Sequence, residues 1–216
     1  MKKNMYSLML SEEVVAQIDL RAKRMHLSRS ALIDRILAET VSYITPEQRV
    51  RTLYAQMLTQ MQTLAEEFRF LTGESETAIT AVSALRYKYN PTIRYRVALY
   101  ADPGCGIGEL RMTLRTQNAA LLEAFAEFCR IWTALEISAQ QRRILAEQSG
   151  GVYTRVLVPM AADCDAELLA TAISNYLHAL DRGFKLWLPL LQEPERAYAA
   201  LSGLYLSGMQ HGLILL

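Results

Sequence analysis

The feature that most constrains this chain is one short alternating run near its start, with no second run close by to pair with it. Tyr6, Leu8 and Leu10 alternate with Met5, Ser7 and Met9. A period of two reads as a strand, here with Tyr6, Leu8 and Leu10 toward a core and the other side exposed. Ser11 then opens a helix as an N-cap, with Glu12 and Glu13 where the helix dipole favours acids. Val14, Ile18, Ala22 and Met25 form one apolar stripe, and Arg21, Lys23 and Arg24 occupy the last turns. His26 and Leu27 break the pattern. Ser28 caps a second helix with Ala31, Leu32, Ile33, Ile36 and Leu37 on its apolar side, running to about Tyr43 before Thr45-Pro46 ends it.

One strand and two short helices cannot close a core, and a lone strand leaves both edges unpaired. The expected solution is a homodimer: two copies of the strand pair antiparallel above four helices. A two-stranded ribbon of that kind fits the DNA major groove.

These residues carry a resemblance. The run Leu8-Met9-Leu10-Ser11-Glu12-Glu13-Val14, followed by His26-Leu27-Ser28-Arg29-Ser30-Ala31-Leu32-Ile33, resembles the ribbon-helix-helix superfamily of small repressors, such as the plasmid copy-control, Arc and methionine repressors, over residues 3–44. The resemblance implies that residues 1–44 are a DNA-binding and dimerisation module. It places Met5, Ser7 and Met9 against base edges, and a backbone phosphate at the amide end of the second helix, at Ser28, Arg29 and Ser30. Lys2 and Lys3 would reach the flanking backbone. Members of the superfamily usually carry hydrogen-bonding residues at the base-facing positions. Two of the three here are Met, which touches a thymine methyl but reads no polar base edge.

Beyond the module, residues 45–73 read as a long linking helix. Thr45-Pro46-Glu47-Gln48 is a capping box with Pro at the first position. Val50, Tyr54, Met57, Met61, Leu64, Phe68 and Leu71 follow at alternating spacings of four and three, ending at Gly73. Two readings stand open: a coiled coil extending the dimer axis, or a helix packed on its own domain. Residues 74–216 read as an α+β domain. A helix is expected over about Glu76 to Lys88, then a hairpin of two strands, Ile93–Leu99 and Leu110–Leu114, around Asp102-Pro103-Gly104-Cys105-Gly106. A helix capped by Asn118 reaches toward Gln148, a strand spans Val152–Val158, a helix is capped by Asp163, and more helix follows Pro189 and Pro194. The fold class expected is therefore mainly α with an α+β C-terminal part, a small antiparallel sheet covered by helices.

Little catalytic chemistry is on offer. Gly104, Gly106 and Gly108 lie between strands, not between a strand and a helix, and read as hairpin glycines. His26, His178 and His211 are solitary, so neither metal nor cofactor is expected. The chain shows no nucleophile elbow or carboxylate pair, which argues against an enzyme. In the expected hairpin Arg94, Arg96, Arg111 and Arg115 share one face. They read as an anionic effector site or second DNA contact, or else as a solvated face. Cys105, Cys129 and Cys164 read as reduced thiols of a cytoplasmic protein. From Ala197 to Leu216 there is no charge. A membrane span needs about 20 apolar residues, and Ser202, Gln210, His211 and the glycines favour a buried C-terminal helix instead.

Net charge is +1 over 216 residues, which by itself points to no partner. Together these readings predict a dimeric, sequence-specific DNA-binding regulator with double-stranded DNA as partner. Its C-terminal domain would sense a small anionic effector or build a higher oligomer. The alternative is an antitoxin or a plasmid partition or mobilisation accessory protein, whose C-terminal domain binds a protein partner.

Overall fold

In the computed structural model, which describes residues 7–41, 44–71, 77–101, 106–159, 164–210 and 216, Ser11 caps the first helix through its side chain, which accepts from the Val14 amide. This helix, α1, spans Glu12–Arg24. Its end explains the break at His26-Leu27. His26 is left-handed (φ 53°), and the Leu27 amide reaches back to the Ala22 carbonyl at 3.0 Å, a Schellman closure. Ser28 caps α2 (Arg29–Thr40) by accepting from the Ala31 amide at 3.2 Å. Ala22, Leu32 and Ala38 are buried, while Leu8, Leu10, Val14, Leu20, Leu37 and Val41 are exposed. The expected strand over Met5–Leu10 falls partly outside the described residues. Its described part, 7–10, is not in a strand and pairs with no strand among the described residues.

The chain divides into two compact units, Met1–Arg49 and Val50–Leu216. The capping box at Thr45 is formed as expected: the Thr45 amide donates to Gln48 Oε1 (2.9 Å), and the Gln48 amide donates to Thr45 Oγ1 (3.2 Å). The helix it starts, α3, spans only Pro46–Gln62. Bonds from Thr63, Leu64 and Ala65 to carbonyls three residues back tighten and end it. The chain then enters β1 (Arg69–Leu71), so the expectation of a helix continuing to Leu71 is corrected. The apolar spacing survives the change because Val50, Met57, Met61 and Phe68 are all buried in the core of this same chain. The packing is intramolecular, not a coiled coil at these positions.

A second correction concerns the helix expected over Glu76 to Lys88. Its described part contains a strand, β2 (Ala78–Ala84). Ala78, Ile79, Thr80 and Ala81 are buried in succession. A strand covered on both faces loses alternation and can be mistaken for helix. The hairpin is as expected: β3 (Thr92–Leu99) pairs antiparallel with β4 (Gly108–Leu114), with Arg96 opposite Arg111 and Tyr95 opposite Met112. Asn118 caps α4 (Ala119–Gln140). Gln141 then turns left-handed, so the helix stops short of Gln148. The stretch expected to finish it is instead β5 (Ala146–Ser149), which turns at Gly150-Gly151 into β6 (Val152–Leu157). The next helix, α5 (Ala166–Trp187), is capped by Asp165, while Asp163 lies outside the described residues. A short 3-10 turn (Leu188–Leu190) leads to α6 (Pro194–Gln210).

The six strands form one antiparallel sheet in the order β1-β2-β3-β4-β6-β5. Four strands precede α4, where the sequence suggested two. One face is the core, where Ile93, Tyr95, Val97, Leu110, Met112, Tyr153 and Leu157 pack with side chains of α3, α4, α5 and α6. Phe125 and Phe128 meet Phe184 at ring-centroid distances of 5.6 and 5.1 Å, and Trp132 meets Tyr205 at 5.4 Å. Gly183 lets α5 come close to α4: a Cβ there would lie 2.7 Å from Trp132 Cζ3. Ala197, Leu201 and Tyr205 are fully buried, which makes α6 a core helix. Among the described residues no helix is long and apolar enough to cross a membrane.

Candidate functional site

In the first unit the start of α2, where the sequence expected a phosphate, is a serine-capped helix N-terminus. Ser28 Oγ satisfies the Ala31 amide and lies 3.2 Å from Ser30 Oγ. The amides of Arg29 and Ser30, the first two of the helix, have no acceptor among the described residues. Arg29 itself is engaged. Its Nε donates to Asp19 Oδ1 at 2.6 Å and its Nη2 to Asp19 Oδ2 at 2.5 Å, a two-point clamp between α2 and α1. The hydrogen bonds from Arg29 hold the Asp19 carboxyl below its ordinary value, and Asp19 holds the guanidinium above its own. The sequence placed Arg29 on a phosphate; the structure shows a guanidinium already neutralised by a neighbour ten positions earlier. Ser7 and Met9 are exposed, Met9 completely. Lys2, Lys3 and Met5 lie outside the described residues.

In the second unit the arginines divide. Arg94, Arg96 and Arg111 share the sheet face opposite the core, with Arg96 directly across from Arg111 and Arg94 across from Thr113. No carboxylate among the described residues pairs with any of them; the nearest acid in register, Glu109, accepts from the Tyr100 hydroxyl. Arg115 lies just past the end of β4 and lines a groove instead.

That groove is formed where the β2–β3 turn, the β4–α4 connection and the β5–β6 turn meet. It has a volume of about 940 Å³. Pro91, Leu114 and Leu122 give it apolar walls, Lys88 and Arg115 give it charge, and Tyr89 stands at its edge. Lys88 Nζ lies 5.1 Å from the Tyr89 ring centroid. The sequence reading missed Lys88 and Tyr89. The only local signal was the Asn90-Pro91 turn, which says nothing of the other two segments.

Two buried polar groups were also missed. Arg155 Nε pairs with Glu136 at 3.1 Å, and both side chains are essentially inaccessible. Arg155 Nη2 also donates to the Leu216 carbonyl at 2.8 Å, and its guanidinium lies 4.5 Å from the Tyr176 ring. Burial pushes the Glu136 carboxyl up, and Arg155 pulls it only part of the way back. The signal was available: Arg155 shares the parity of Tyr153 and Leu157 in β6, the face toward the core. Elsewhere Lys185 Nζ donates to Ser83 Oγ at 2.6 Å and pairs with Asp181 at 2.7 Å, while the Tyr95 hydroxyl donates to Asp181. These four side chains brace α5, which carries Lys185 and Asp181, against Ser83 of β2 and Tyr95 of β3. Among the described residues no three metal-ligating side chains converge. His178 pairs with Glu67 at 3.0 Å, and Cys129 is a buried free thiol.

No family model matches the chain, and neither a curated protein nor a solved structure is similar to it at a significant level.

Proposed function

We propose that the protein is a dimeric DNA-binding regulator whose first unit binds double-stranded DNA and whose second unit is a sensor or oligomerisation domain. The observation that carries this reading is the first unit itself. Two serine-capped helices follow a segment whose Leu8 and Leu10 are 59% and 44% exposed. A second copy supplies cover for both and the missing strand partner together. The uncommitted amides at the start of α2 support a phosphate contact there. Met9, fully exposed, offers a base edge no hydrogen bond. Affinity therefore rests mainly on phosphates and falls steeply with salt, because each phosphate contact releases counterions.

The test is binding of labelled duplexes by fluorescence polarisation over a salt series, with sites selected beforehand from sheared genomic DNA. A linear fall of log affinity with log salt, and enrichment of sites with two-fold symmetry, are the expected results. An absence of DNA binding at low salt by a folded dimer would leave the first unit as a dimerisation device only.

A further inference from the structure

The groove of the second unit has the size and lining of a small-molecule site. Its volume of about 940 Å³ falls in the range of roughly 300–1,000 Å³ that such sites occupy. Of the side chains lining it, two are cationic and none is acidic. Neither Lys88 nor Arg115 belongs to an ion pair among the described residues, a state they share with Arg94, Arg96 and Arg111 but which here leaves both cations to face one groove. The apolar surface is specific in place: Leu114 and Leu122 come from different elements. They meet because Gly151 lets the β5–β6 turn close on them; a Cβ there would lie 2.4 Å from the Leu114 carbonyl oxygen and 3.2 Å from Leu122 Cδ2.

Tyr89 is the second unusual feature. It is 86% exposed and left-handed (φ 67°), and Asn90 beside it is left-handed too (φ 44°). Asparagine adopts this conformation readily, but a bulky aromatic residue does so at a cost that glycine would avoid. The strained backbone leaves the ring in solvent at the groove's edge, with Lys88 Nζ over it.

We propose that this groove binds a small planar organic acid, an aromatic ring bearing a carboxylate. The Arg115 guanidinium has the forked geometry that takes a carboxylate at two points, and Lys88 adds a point charge. The ring lies on the half-buried Pro91 and Leu122 and meets the face or edge of Tyr89. Inorganic phosphate would satisfy the cations and leave the apolar walls uncovered. A neutral aromatic would do the reverse. Nothing in this site depends on the DNA reading of the first unit.

The experiment uses the full chain and three probes: 2-naphthoate, its neutral isostere 2-naphthamide, and inorganic phosphate. Binding is followed by titration calorimetry and by the methyl NMR resonances of Leu114 and Leu122. Saturable binding of 2-naphthoate is expected, with the other two probes at least tenfold weaker. Arg115→Gln and Lys88→Glu, both at exposed positions, should each weaken 2-naphthoate at least tenfold with unchanged circular dichroism. Tyr89→Gly should weaken binding while raising the melting temperature, a combination that a merely structural turn residue would not produce. The proposal is overturned if 2-naphthoate gives no saturable response at millimolar concentration, if 2-naphthamide binds equally well, or if the Arg115 variant binds like the parent. Duplex binding measured on the same preparations separates this outcome from failure of the DNA reading.

Discussion

At the scale of single residues, two arginines show how one charge can take opposite roles. Arg155 is buried with Glu136. Removing one partner of such a pair leaves an uncompensated charge, so Arg155→Met should cost about 3–5 kcal/mol in chemical denaturation, and Glu136→Gln added to it should recover most of the loss. The pH dependence has a definite sign. The folded Glu136 carboxyl titrates above its ordinary value. Its contribution therefore favours folding below the unfolded value and is lost as pH rises through the folded one. Without Arg155 the carboxyl climbs further, so the deficit of the Arg155→Met variant should be largest at neutral pH and shrink on acidification. A deficit that stays constant with pH would mean that Glu136 does not titrate with folding. Arg29 is the exposed counterpart, clamped to Asp19. If the start of α2 takes a phosphate, Asp19→Asn frees the guanidinium and strengthens duplex binding. Arg29→Glu weakens it at least about tenfold on every sequence, since a phosphate contact carries no base information. Polarisation measurements on folded dimers decide the point, and equal affinity of all three proteins would remove Arg29 from the interface.

At the scale of elements, α3 and β2 are the instructive cases. The spacing of Val50, Met57 and Met61 suits a dimeric coiled coil, yet each lies in the core of its own chain. A cysteine placed at Met57 in a cysteine-free background should therefore form no cross-linked dimer under mild oxidation, and a prompt cross-link would restore the coiled-coil reading. Met57→Ala should cost about 2–5 kcal/mol, as removal of a fully buried side chain does. Contact between α5 and α4 is equally tight: with Trp132 Cζ3 2.7 Å from where a Cβ would stand, Gly183→Ala should cost roughly 1–3 kcal/mol by overpacking. Equilibrium urea unfolding measures both.

For the molecule as a whole, assembly is the first question. Leu8 and Leu10 are exposed in a single chain. Light scattering should find the parent dimeric at micromolar concentration and the Leu8→Asp, Leu10→Asp variant monomeric. Both tryptophans, Trp132 and Trp187, belong to the second unit and are buried. The near-ultraviolet circular dichroism of that variant should accordingly match the parent. A stable monomer formed by the parent chain would remove the ribbon-helix-helix reading altogether.

What the sequence determined by itself was local. Ser11, Ser28, Asn118 and the Thr45–Gln48 box each mark a helix start, because a cap is a hydrogen bond across three residues and needs no partner from elsewhere. The β3–β4 hairpin and the separation of Arg94, Arg96 and Arg111 from Tyr95 and Met112 were legible for a similar reason: alternation assigns faces once two neighbouring strands pair. Only tertiary structure decided the rest. The strand at Ala78–Ala84 is buried on both sides, so its composition resembles a helix, and β5 is a polar edge with no pattern to find. The end of α3 at Gln62 follows from Phe68 turning in to meet Tyr95 edge-on at 5.8 Å, a contact 27 residues long in sequence (68 to 95). The Arg29–Asp19 clamp, the Arg155–Glu136 pair and the groove at Lys88, Arg115 and Gly151 likewise join separate elements. Periodicity reports which side of an element is apolar, but a charge's partner and a cavity's walls are set by which elements come together, and that is a property of the packed core.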